Sequence, residues 1–416
     1  MQVQKLDFKL EPNFRRVIAL SYNIEKTQVH RIAQFVMRLS TAQREALFAE
    51  VEANFADRHR DLEKFLLNFY GQMEKYLPPG MRLNHADRLL LASYFTKEYS
   101  IEAAALFNPS IVPFERPTPD GDQRFVMSLR ATGEGHISSV EFIQGKINQN
   151  GEIFFKMPES TFATGPERVT VDYDSPYQTI EMQFDAQIPL AERVIFPVTD
   201  DEINGIEDLR LVRFEDESGA VYFGTYTAYD GHQIQSKLLE TTDFTTFRSY
   251  ALQGRAVNDK GMALFPEKID GQYAMISRQD GTNLYIMFSD SLYDWEKAEL
   301  LMEPQMPWEL TKVGNCGSPI KTEAGWLLVT HGVGPMRKYQ LGAILLDLKN
   351  PRKIIARLKD PLLGPDESER EGYVPNVIYT CGNMLHQGKL IVPYAMSDSA
   401  SGVAIFNLQE ILQEME

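Results

Sequence analysis

The most suggestive chemistry in the chain is an acidic pair, Glu207-Asp208, followed two residues later by Arg210. Proton transfer needs a carboxyl group held rigidly, and a guanidinium beside it both orients the group and favours its ionised form. The stretch Ile206–Gly231 supplies the holding element. Leu209–Phe214 and Val221–Tyr229 read as strands, the second bearing Tyr222, Tyr226 and Tyr229, joined by a polar turn over Glu215, Asp216, Glu217, Ser218 and Gly219. Such a pattern is a hairpin inside an antiparallel sheet. Asp208 then stands either at the mouth of a rigid all-β scaffold, where an acid is useful, or in a solvated surface turn.

Four further stretches repeat the plan of strand, polar turn and second strand: Arg124–Gly145, Gly271–Trp295, Trp326–Leu348 and Lys389–Phe406. Five units of this kind imply radial repetition of small antiparallel sheets, a β-propeller. The first hundred residues differ. Gln2–Leu10 reads as an edge strand. From Thr41, a candidate N-cap, apolar residues recur at helical spacing through Phe55, Leu62, Phe65, Phe69 and Tyr70, with a bend near Ala56–His59 and a stop at Pro78-Pro79-Gly80. A second helix is expected from Asn84 to Tyr99. Residues 1–104 are therefore an expected N-terminal α-helical extension and residues 105–416 an expected propeller. The aromatic stripe Phe55, Phe65, Phe69, Tyr70 reads as core, as packing against the propeller, or as a subunit contact, the last giving a homo-oligomer.

Composition narrows the function. With 416 residues and a net charge of −16, the chain is a poor partner for nucleic acid or an anionic membrane, both of which need a basic face. The two cysteines, Cys316 and Cys381, support neither a disulfide framework nor a metal site, and no cluster has metal-ligand spacing. The glycines of Ala131–Gly135 and Thr330–Gly334 do not follow the strand–loop–helix plan of a nucleotide cradle. The first residues carry charges where a signal peptide is apolar, and no run is long enough to span a bilayer, so a cytoplasmic location is expected.

Seven ordered motifs carry a resemblance. Ile206–Arg210 with Thr225–Gly231, Asn108–Ser110, Ser128–Ala131, Phe265–Ile269, Thr330–Gly334, Tyr339–Leu348 and Glu371–Val377 resemble those of glycoside hydrolase family 130, the mannoside phosphorylases and β-1,2-mannosidases. The match covers roughly residues 105 to 410. It implies a mainly β fold, a five-bladed β-propeller, with catalysis at its central funnel. It also implies that Asp208 is the general acid, protonating the glycosidic oxygen directly or through a substrate hydroxyl. Leu209 stands where the family has proline.

Further site residues follow from the same resemblance. Asn108, Arg130 and Asp398 match substrate-binding positions, and Arg210 sits in the acid's motif. Lys268, His331 and Tyr339 match the phosphate side of the phosphorylases. Gln235 replaces an expected arginine, and Glu240 stands where a small residue is usual. Losing a guanidinium and gaining a carboxylate favours water over phosphate, so the expected activity is an inverting hydrolase of β-mannosides, β-1,2-linked, with Glu240 or Glu134 as general base. The alternatives are a phosphorylase using inorganic phosphate as co-substrate, with no other cofactor, and a propeller that binds carbohydrate without turnover. His136 and His232 lie near these motifs as lesser candidates. Tyr229, Tyr373 and Trp308 are candidate aromatic floors for a sugar ring.

Overall fold

Alternating apolar and polar residues give the larger of two units its antiparallel sheets. The computed structural model describes residues 2–21, 25–216 and 219–416, so Glu217 and Ser218 of the expected polar turn lie outside the described residues. Five sheets of four to six strands follow one another along this unit. Each contains one of the repeated hairpins: Gln123–Thr132 with Ser138–Ile147, Ile206–Asp216 with Gly219–Tyr229, Tyr273–Ser277 with Leu284–Ser289, Trp326–Val333 with Tyr339–Leu346, and Lys389–Met396 with Ala400–Asn407. These are the five stretches repeated in the sequence, one to a sheet. In the second sheet Ile206–Asp216 is itself the first strand. In the others the first strands are Ala105–Phe114, Ala263–Leu264, Lys312–Asn315 and Ile378–Tyr379.

Side chains on facing sheets meet in apolar cores. Phe142 and Phe247 stack between the first and second sheets, with ring centroids 5.6 Å apart. Phe214, Met275 and Trp295 join the second to the third, and Phe265 meets Trp326 edge-on at 5.3 Å between the third and fourth. Leu327, Leu345 and Val392 link the fourth to the fifth. Met127 and Ile391 then link the fifth back to the first. Each fully buried large side chain contributes roughly 1.5–3 kcal/mol, and an edge-to-face ring pair about 0.5–1.5 kcal/mol beyond that.

The division of the chain is not a single cut at residue 104. Residues 1–12, 102–158 and 165–416 form the sheet unit, and residues 13–101 with 159–164 form the other. Val3–Lys5 pairs antiparallel with Ala404–Phe406, beside the last hairpin strand of the fifth sheet. The alternating residues before Pro12 therefore serve the sheets.

The smaller unit contains α1 (Lys26–Arg38), α2 (Thr41–Phe55), α3 (Leu62–Met73) and α4 (His85–Ser93). Helix α2 starts at Ser40, whose hydroxyl accepts from the Gln43 N–H while the Gln43 side chain returns the bond; Asn84 and Asp87 cap α4 the same way. The expected bend is a short 3₁₀ turn at Ala56–Arg58. Helix α4 ends earlier than expected, because Thr96–Ser100 pairs as a strand with Val17–Ser21, a role suited to Thr96 and Tyr99. Leu66, Phe69, Tyr70 and Met73 lie on one face of α3 and fill this unit's own core, with Phe65 packed against it. No helix among the described residues is long and apolar enough to cross a membrane.

Candidate active site

Two bulges create the centre of the site. The pairing of Ile206–Asp216 with its neighbour shifts register between Glu207 and Arg210. That of Ala105–Phe114 shifts between Phe107 and Ser110. A bulge re-aims the side chain it carries, and here Asp208 and Asn108 take left-handed backbone positions, φ 54° and 50°. Asn and Asp tolerate that region better than most residues. The Asn108 amide donates to Asp208 Oδ1 at 2.6 Å, and Arg130 donates to the same oxygen at 3.2 Å. Leu209, in the family's proline position, packs over Gly224, where a Cβ would come within 2.6 Å of its side chain.

Cations gather on the other flank of Asp208. Arg210 is buried; it donates to the Asp208 carbonyl at 2.9 Å and to the Tyr379 hydroxyl at 2.8 Å, and its guanidinium stands 3.7 Å from Asp208 Oδ2. Lys260 and Arg130 both pair with Glu207, at 3.2 and 2.9 Å. Arg278 donates to the Lys260 carbonyl at 2.9 Å. Lys312 lies 5.4 Å from the Tyr339 ring, which stacks on His331 at 5.8 Å. His331 also meets Tyr379 edge-on at 4.9 Å. All five sheets thus contribute a side chain: Asn108 and Arg130, Asp208 and Arg210, Arg278, Lys312 and His331, and Tyr379.

Charge states follow from these surroundings. Burial alone would raise the Asp208 carboxyl, but Arg130, Arg210, Lys260 and the Asn108 amide together hold it well below the usual carboxylate range. Asp398 goes the other way. Burial first, and then the charge of Asp208, push it up to about 6 against the opposing pull of Arg130 and Arg337. Burial, and after it the charges of Arg278, Lys312 and Arg210, hold the His331 imidazole far below its ordinary value. His331 is therefore neutral, and its buried Nε2 has no hydrogen-bond partner among the described residues.

A cleft of about 240 Å³ opens beside Arg130 and Glu207, lined also by Asn204, Tyr229, His136 and Tyr373. Of the expected site residues, Asn108, Arg130, Asp208, Arg210, His331, Tyr339 and Asp398 belong to this connected region, and Tyr229 and His136 to the cleft. Glu134 is exposed on the turn that carries Gly135 and His136 to the cleft.

Five expectations do not fit the geometry. Glu240 lies two strands outward from Asp208's strand and four residues beyond Ser236, which is level with Glu207. By ordinary sheet spacings that is about 10 Å across and about 13 Å along. It hydrogen-bonds Tyr250 on the sheet's outer part and is no base for this site. Lys268 is exposed over the Tyr273 ring, 4.4 Å from its centroid; the lysine at the site is Lys260, eight residues earlier. Gln235 donates to the carbonyls of Ser236 and Leu252 inside its own sheet, at 3.0 and 2.9 Å. His232 is exposed in a turn whose Asp230 carboxylate accepts its N–H at 2.7 Å. Trp308, a candidate floor, covers Gly332 and Gly342 of the fourth sheet instead. Lys260, Arg278, Lys312 and Tyr379 were missed. The signal available was that Lys260, Lys312 and Tyr379 each lie in or just before the first strand of a sheet.

The chain is similar to known proteins in sequence and in fold. A family model described as beta-1,4-mannooligosaccharide phosphorylase matches residues 168–416, a span that holds Asp208, Arg210, Lys260, Arg278 and Lys312. A 1,2-beta-oligomannan phosphorylase of Thermoanaerobacter sp. (strain X514) is 37% identical over 218 residues, 51% of this chain and 72% of the relative. The β-1,2-mannobiose phosphorylase of Listeria innocua, solved with β-1,2-mannobiose, aligns with a TM-score of 0.53 and 23% identity over 75% of this chain and 92% of that one. A second structure, described among GH130 glycoside hydrolases that target β-1,2 mannosidic linkages in Candida mannan, gives a TM-score of 0.53 at 18% identity, over 75% and 87%. At these identities the structural likeness speaks for the fold.

Proposed function

This chain belongs to glycoside hydrolase family 130 and is an enzyme acting on mannosides, and from that premise we propose that it is a phosphorylase of β-1,2-linked mannosides built as a five-bladed β-propeller. The cyclic succession of apolar cores, fifth sheet to first, supports the five blades. One observation carries the phosphorylase reading: Arg210, Lys260, Arg278 and Lys312 gather on one flank of Asp208, around a neutral His331 whose Nε2 lacks a hydrogen-bond partner among the described residues, in a chain of net charge −16. Concentrating cations against the overall charge is what binding an anion requires. Phosphate supplies acceptors for the guanidinium and ammonium donors.

The reaction then runs as follows. Asp208 gives its proton to the glycosidic oxygen, directly or through a substrate hydroxyl, as the C–O bond breaks and its electron pair passes to that oxygen. A phosphate oxygen attacks the anomeric carbon from the opposite face, releasing mannose 1-phosphate and the shortened sugar. In the free protein Asp208 is ionised. An arriving phosphate offsets the charges of Arg210 and Lys260 and so lifts the carboxyl toward the range where an acid works. Co-substrate binding and readiness of the acid are thereby coupled.

Hydrolysis is the second reading, favoured by Glu134 on the turn at the cleft. Incubation with β-1,2-mannobiose, and with its β-1,4 isomer, in the presence and absence of inorganic phosphate separates the two. Mannose 1-phosphate formed only with phosphate is the expected result. Free mannose at equal rates in both conditions would sink the phosphorylase reading.

A further inference from the structure

The cleft lined by Arg130 and Glu207 is about 240 Å³, below the roughly 300–1,000 Å³ of sites for drug-sized ligands. Two side chains from different sheets meet at its edge. The Tyr373 hydroxyl lies 3.1 Å from His136 Nδ1, and the ring centroids are 5.4 Å apart. Tyr373 is 56% exposed, so the contact is not core packing.

Both halves are fixed from below. Gly135 and His136 take successive left-handed positions, φ 67° and 63°, and the His136 N–H donates to the Gly133 carbonyl at 3.1 Å. Tyr373 follows Gly372, where a Cβ would come within 2.5 Å of the Ser397 carbonyl oxygen. It precedes Val374, whose N–H donates to that same oxygen at 3.0 Å. Ser397 adjoins Asp398, so the turn bearing the raised carboxyl also sets the tyrosine. The other half belongs to the turn between the strands that carry Arg130 and Ser138, which are joined by an Arg130 Nε to Ser138 Oγ bond of 2.9 Å.

We propose that Tyr373 and His136 form a hydrogen-bonded cross-piece closing the outer end of the sugar cleft, so that the enzyme selects disaccharides over longer mannosides. The proposal rests on the mannoside reading above and adds the length of the substrate to it. A longer chain has to pass where the two rings meet, which breaks their hydrogen bond and ring contact. The disaccharide does not.

The test compares kcat/KM for β-1,2-mannobiose and β-1,2-mannotetraose with phosphate present, and Kd for both sugars by calorimetry with phosphate absent. The wild-type protein is expected to favour the disaccharide by about tenfold, the scale set by one missing contact. Tyr373→Ala should bring the two sugars to within about threefold of each other. Tyr373→Phe, which keeps the ring and loses the hydroxyl, should fall between, and His136→Gln, which keeps an acceptor, should hold the preference. Turnover with equal kcat/KM for both sugars, or a ratio unmoved by Tyr373→Ala, overturns the cross-piece and leaves the phosphorylase reading intact. Binding that prefers the disaccharide and loses that preference in Tyr373→Ala, with no turnover, supports the cross-piece and overturns the reading it rests on. No binding of either sugar overturns both.

Discussion

Asn108 and Asp208 sit at matching bulges on the first strands of neighbouring sheets, each with a left-handed backbone, and their side chains meet at 2.6 Å. Neither residue strains its strand for packing, since both side chains point to the same polar centre. Backbone strain of this kind, about 1–3 kcal/mol each, persists where the surroundings over-determine it. The geometry makes Asn108 a donor dedicated to one carboxylate oxygen.

Asn108→Gly removes that donor without adding strain, because glycine accepts the positive φ. The hydrogen bond favours the ionised form of Asp208, so its loss moves the carboxyl upward. The alkaline limb of the kcat/KM profile, where the general acid loses its proton, should shift to higher pH, and kcat should fall about tenfold, the equivalent of roughly 1.4 kcal/mol in the barrier. Asn108→Asp should shift the limb further in the same direction, since a second carboxylate beside the first repels its charge. A limb that stays in place in both variants would remove Asn108 from the acid's environment.

Lys260 separates phosphate binding from sugar binding. Its ammonium pairs with Glu207 at 3.2 Å while remaining 44% exposed, so its removal leaves no buried charge unpaired. Lys260→Met is expected to raise KM for phosphate by about 10- to 100-fold, the value of one or two charge-assisted bonds. KM for mannobiose should change by less than about threefold. Initial rates over a grid of both substrates read this directly. A change confined to the sugar would place the cation cluster on the wrong substrate.

Glu240 is the sharpest test of the corrected site. Its carboxylate faces Tyr250 and lies next to Arg248 in the pairing, on the sheet's outer strands. Glu240→Gln should leave turnover within about twofold while thermal stability changes by less than about 1 kcal/mol, the usual range for a half-exposed group. A loss of a hundredfold or more in kcat would restore it as a base.

What could be read from the sequence depended on how local the cause was. The five hairpins were legible because alternation and turn residues lie within about twenty positions of each other. Asp208, Arg210, Asn108 and Arg130 were legible because their motifs are contiguous. Arg278 and Lys312 were not, since a lone basic residue at a strand end looks like any solvated charge until sheets from distant parts of the chain bring it to one place. Lys268 and Lys260 flank the same short strand, Ala263–Leu264, and only the turn of the chain between them decides which one faces the site. Glu240 was misread for a related reason: composition along a third strand does not reveal how far that strand lies from the centre.

Asp398 should make the protein less stable as pH rises. Its folded-state value is pushed up to about 6 from 3.8, so between those values the folded chain holds a proton that the unfolded chain has released. Stability from this group is fully present below the unfolded value and is lost as pH rises through about 6. Two pKa units correspond to at most about 2.7 kcal/mol, and partial exposure reduces that to about 1–2 kcal/mol. Asp398→Asn cannot ionise and escapes the loss. It should melt together with the wild-type protein at pH 4 and above it at pH 8, by about 1–3 °C for a chain of this size. Turnover should fall in the same variant, the trade expected where a buried carboxyl is kept for use and not for stability. Equal melting temperatures at both pH values would show that the carboxyl is not raised, and that its environment beside Asp208 is more polar than the burial of its turn implies.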